Sequence, residues 1–244
     1  MNGAVLAARF SLATNRLEYC GPPGADRVLY AAITRGERIR EAGEALLQFE
    51  ALPAYFEAIA KKHGLSPLDE RVVEAYWIGN DLLDAFGPLD FGEVLDGLVR
   101  QGLPRRIAER LRSALPDHPI PHHTFHVSFV GVGNVTGHVE TTLPNMDACR
   151  PSWATVRSVD GSMLTLERSP LVLREGRLGL GAPSEVRTEY DPAVLPGLRP
   201  GASVALHWGW PALELTTRQR EALERYSNES WEQVRRARGP APVG

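Results

Sequence analysis

The chain has 244 residues, 43% of them hydrophobic, with five tryptophans and a net charge of −3. This is ample for a buried core, and the charge balance excludes a polyanion-binding surface, since no excess of basic residues is available for nucleic acid or an anionic membrane. No window approaches the roughly 20 apolar residues of a membrane span and no basic start precedes an apolar run, so a cytoplasmic protein with two free thiols, Cys20 and Cys149, is expected.

Residues 1–117 read as an all-helical domain. The first helix, GAVLAARFSLATNRL, is stopped by Gly21, Pro22, Pro23 and Gly24, and a second starts at Asp26. A long helical pattern over residues 37–64 breaks at Pro53 and ends at Gly64. The next, SPLDERVVEAYWIGNDLLDAF, carries Glu70, Glu74, Trp77, Asp81 and Asp84 at helical spacing. Without a histidine beside them these carboxylates suggest a solvated face, or one docked on a basic partner, rather than a carboxylate metal site. A last helical stretch, broken at Gly102 and Pro104, ends before Pro116.

After Asp117 the period changes to two, and residues 118–146 read as a histidine-rich β-hairpin connecting two parts. In this reading His122, Thr124, His126 and Ser128 face one way and His123, Phe125, Val127 and Phe129 the other. A turn within Gly131–Gly137, which contains Gly133-Asn134, sets His126 opposite His138 with Glu140 and Thr142 on the same face, and two imidazoles with a carboxylate suit iron or zinc. His122 and His126 lie about 13 Å apart on one strand, too far to share an ion unless the backbone bends.

Residues 147–238 alternate short strands with turns. Asp160-Gly161 is a tight hairpin signal between WATVRSV and SMLTLER, Gly176 turns LVLRE into RLGLG, and SEVRTEY precedes a proline-rich loop and SVALHWGW. Short strands of this kind suggest a small OB-like β-barrel closed by a C-terminal helix from Thr216 or Thr217, with 239–244 as a disordered tail. The fold class expected is therefore α+β. Cys149 stands just ahead of the first strand and His207 on the last, a soft two-ligand pair for a transition metal. Arg150, next to the cysteine, is expected to favour its thiolate.

The ordered motifs CRPSWATV, VRSVDGSMLTL and GASVALHWGW, followed by ELTTRQ, resemble the HypC-type hydrogenase assembly chaperones over roughly Asp147 to Val234. The resemblance implies that Cys149 is an iron thiolate ligand and His207 a second contact. It further implies an iron fragment with cyanide and carbonyl ligands, handled with a HypD-like maturation protein and delivered to a hydrogenase large subunit. In that family the cysteine follows the initiator methionine, whereas here some 120 helical residues and the histidine segment precede it.

The expected function is thus binding or delivery of iron during [NiFe] hydrogenase maturation, a chaperone's role more than that of a turnover enzyme. Zinc and nickel remain open as the metal. One alternative is a metalloenzyme using His122, His123, His126 or His138, with Cys149, on a small molecule; another is a metal-free scaffold joining partner proteins. Whether Cys20 joins Cys149 in one site is left open by the residues themselves.

Overall fold

The computed structural model describes residues 1–238, so the tail expected over 239–244 lies outside the described residues. The first half is helical: α1 (Gly3–Arg16), α2 (Asp26–Arg35), α3 (Ile39–Leu46), α4 (Leu52–His63), α5 (Glu70–Trp77), α6 (Pro88–Arg100) and α7 (Arg105–Ser113). Local chemistry sets the boundaries. Asn2 caps α1 by accepting the Ala4 N–H at 2.9 Å, Asp69 caps α5 in the same way, and Gly64 ends α4 at φ +65°. The acidic helix expected through Asp84 stops at Trp77. Asn80 then caps a short 3₁₀ turn at Asp81–Leu83, so the acidic residues form no continuous stripe.

The histidine-rich segment is helical, in correction of the hairpin expected there. A single turn, α8 (His123–Phe125), runs into a wide π-type turn, His126–Gly131. Alternation of polar and apolar residues marks a strand only when one face meets water. Here residues 120–132 are all buried, and some of the polar members are paired internally, as where Thr124 Oγ1 meets Ser227 Oγ at 3.1 Å, while Ser128 Oγ and His122 Nε2 have no hydrogen-bond partner. Helical spacing consequently places His123 and His126 together, with ring centroids 5.6 Å apart, and turns His122 away.

A further helix, α9 (Leu143–Cys149), leads into seven strands: β1 (Ser152–Asp160), β2 (Met163–Arg168), β3 (Leu171–Arg174), β4 (Arg177–Leu180), β5 (Ser184–Glu189), β6 (Ser203–His207) and β7 (Trp210–Glu214). The Asp160-Gly161 hairpin pairs β1 with β2 in the expected place. The main sheet is antiparallel, in the order β5-β2-β1-β6-β7, and among the described residues it does not close into the barrel expected. Strands β3 and β4 make a separate hairpin against α9 and α10, while α1 packs on β6 and β7. The apolar surface that closure would bury is thus covered by helices instead.

The last helix, α10 (Thr217–Arg238), starts with a capping box: Thr216 Oγ1 accepts the Gln219 N–H, and Gln219 Oε1 accepts the Thr216 N–H at 3.1 Å. It lies across β1, β6 and the α8 segment. One apolar core, running from Ala4 through Trp77, Phe91 and Phe125 to Leu206 and Val234, is shared by helices and sheet. Among the described residues no helix is long and apolar enough to cross a membrane.

Candidate metal centre

Antiparallel pairing of β1 with β6 sets Ser152 opposite Leu206, so the residues just before β1 and at the end of β6 must meet. The Trp208 N–H donates to the Ala148 carbonyl at 2.6 Å and fastens the two ends together. Cys149, the last residue of α9, and His207, the last of β6, are thereby brought side by side. The α8 turn supplies a third group. The donor atoms of His123, Cys149 and His207 all lie within 4.8 Å of one another, with Cys149 Sγ 3.5 Å from His123 Nε2.

Each imidazole is oriented by a second partner. His207 Nδ1–H donates to the Phe10 carbonyl at 2.6 Å, which puts the lone pair on Nε2, and that buried atom has no hydrogen-bond partner. His123 Nδ1 meets Tyr76 Oη at 2.7 Å, leaving its Nε2 toward the thiol. Outer-shell contacts of this kind fix the tautomer and ring plane of a metal-binding histidine. Trp77 packs on both rings, at 4.4 Å from His123 and 4.9 Å from His207, and stacks on Phe10 at 4.8 Å.

Burial dominates the protonation of the cluster. It pulls His207 down to about 4 and His123 well below the usual histidine range, the latter helped by the neighbouring His207, His126 and His122. The same burial, with Cys20 nearby, pushes the Cys149 thiol up. The expectation that Arg150 favours the thiolate is therefore corrected. Its guanidinium is turned onto Asp147 Oδ1 at 2.9 Å and the Ser169 carbonyl, and Arg168 shares the same carboxylate. A buried thiolate without a cation is costly, and a dication supplies the missing charge.

Two imidazole nitrogens and a sulfur, all neutral and converging, form a borderline-soft donor set suited to iron, copper or zinc. Donors around an ion at about 2.0–2.3 Å stand roughly 3.5 Å apart, so the side chains draw inward by about 1 Å on binding. Beside them lies a cavity of about 60 Å³, lined in part by His126, Cys20, Tyr19, Trp208 and the loop Val132–Val139.

Of the other expected site residues, His126 reaches this cavity, and its Nδ1 meets Tyr55 Oη at 2.9 Å. Cys20 also lines it, held by the Gly21 turn, and burial with the nearby Glu50 carboxylate raises its thiol to about 12. His122 is buried elsewhere: its Nδ1 accepts the Thr124 N–H at 3.2 Å, and its ring lies 6.4 Å from Tyr226. His138 is exposed and is not among the residues that line the cavity. Sequence reasoning missed Tyr76, Tyr55 and the Phe10 carbonyl. The first two were legible as tyrosines on the apolar faces of α4 and α5, but nothing in the sequence pointed them at histidines.

The fold and cluster together define an α+β protein with a buried Cys-His-His group able to hold a metal. The chain belongs to DUF6390, a family of unknown function whose model matches residues 1–240. No curated protein and no solved structure shows a significant match.

Proposed function

We propose that this protein is an accessory factor of metal-centre assembly, holding one iron ion or iron fragment through Cys149, His123 and His207. The carrying observation is the convergence of three donors within 4.8 Å, one of them a buried Nε2 with no partner of its own. Few protein ligands suit a metal that is to be passed on, and a thiolate with two imidazoles suits iron. The HypC-like order of motifs around Cys149 and His207 supports delivery to a hydrogenase large subunit in the cytoplasm, through a HypD-like maturation protein. Zinc and nickel are the competing occupants.

The test is elemental analysis of anaerobically purified protein alongside Cys149→Ser and His207→Ala variants. About one metal per chain is expected in the parent and well under a tenth of that in either variant, with circular dichroism unchanged. Equal metal in the variants sinks the proposal. The cavity beside the cluster favours a second reading, a metalloenzyme acting on a small molecule, because catalytic centres keep one coordination position free of protein. Metal transfer to an apo-hydrogenase subunit separates carrier from enzyme: a carrier loses its ion to the acceptor and an enzyme retains it.

A further inference from the structure

Three protein donors leave at least one coordination position facing the cavity, and the walls of that cavity define what fits there. Its volume of about 60 Å³ admits roughly two to four water-sized groups. Among the described residues lining it there is no Asp, Glu, Lys or Arg. The charge of a bound ligand is therefore balanced by the metal alone. A dication with one thiolate leaves a net charge of +1, which one monoanion neutralises; a dianion such as phosphate or sulfate would overcharge a water-poor site.

Several polar groups in the wall have no role in holding the metal, among them the Ser11 hydroxyl, which is buried without a hydrogen-bond partner, and the imidazole of His126. His126 lies outside the mutual 4.8 Å set, yet its ring is nearly parallel to that of His123, at 16°. Each imidazole has a tyrosine at Nδ1, Tyr76 Oη for His123 and Tyr55 Oη for His126, but a metal on His123 Nε2 requires that ring to keep its proton on Nδ1 and donate it to Tyr76, whereas no ion claims Nε2 of His126. With the Tyr55 hydroxyl donating to Nδ1, the proton of the neutral His126 ring sits on Nε2 as a donor. Tyr55 is fully buried with His126 as its hydrogen-bond partner, and an anion at Nε2 selects this tautomer.

We propose that the open face of the centre binds a monoanion of two or three heavy atoms, held between the metal and the Nε2–H of His126. This rests on the metal-site reading above. His126 is a positioning residue, in that it orients the anion and contributes nothing to the capture of the ion.

The experiment uses the full chain loaded with cobalt(II), azide as the probe and visible absorption as the readout. Cobalt should bind the parent and His126→Phe within about twofold of each other. Azide should shift the cobalt spectrum of the parent with one-to-one stoichiometry, at least tenfold more weakly in His126→Phe, and with partial recovery in His126→Gln, which restores an N–H donor. Sulfate should leave the spectrum unchanged. Equal azide affinity in parent and His126→Phe, or no spectral response to azide in cobalt-loaded parent, overturns the proposal while leaving the metal site standing. Failure of the parent to bind cobalt, iron or zinc overturns both.

Discussion

At Cys149 the cost of ionisation and the gain from coordination meet in one atom. Burial keeps the thiol protonated at neutral pH, and the two imidazoles are neutral there, each with a single N–H, His207 being held at about 4 and His123 well below its usual range. Metal binding must therefore expel one proton, from sulfur alone. Between pH 6 and 8 the apparent affinity is expected to rise about tenfold per pH unit, with one proton released per ion. Competition with a chromophoric chelator at several pH values measures the slope. A pH-independent affinity would mean that Cys149 is not a ligand.

At the scale of elements, the loop from Gly131 to Thr142 supplies part of the cavity wall and is folded tightly on itself. Gly133 sits at φ +75°, where a Cβ would lie 1.7 Å from the Val139 carbonyl oxygen. Gly133→Ala therefore faces both left-handed backbone strain and a collision, and is expected to cost about 1–3 kcal/mol locally. The faster metal release expected of this variant is measured by chelator-driven dissociation; an unchanged rate would show that the loop does not guard the ion. The same segment shows where sequence reading ends. The strands β1 to β6 announce themselves through Asp160-Gly161, Gly176 and their alternation, because one side of each faces water or a helix. The stretch His122–Phe129 alternates as well, but inside a core, where alternation has no solvent side to report. Of the site, Cys149 and His207 were legible as a pair from the strand order. His123 was visible as a histidine and misplaced in orientation, and the tyrosines that aim the rings depend on packing between α4, α5 and α8 that no local spacing encodes.

Over the whole molecule, four histidines, His122, His123, His126 and His207, are buried in the neutral form. Their folded values lie below the ordinary 6.5, at about 3 for His122 and about 4 for His126 and His207. The unfolded chain thus binds protons that the folded chain refuses. Their contribution is complete above pH 6.5 and is lost as pH falls from there toward 4, at about 1.4 kcal/mol per histidine per pH unit. Stability is expected to fall steeply over that window, with unfolding taking up several protons. Urea titrations at pH 7.5, 6 and 5 read this directly, and a flat stability across the series would contradict the burial of these rings.

The carbonyl that orients His207 belongs to Phe10, 197 positions earlier in the chain. During synthesis the first helix leaves the ribosome long before the penultimate strands exist, so a nascent chain has no aimed imidazole to offer an ion. Loading is a post-translational event that reports complete docking of α1 on the sheet, and neither half of the protein made separately should capture metal with the affinity of the whole.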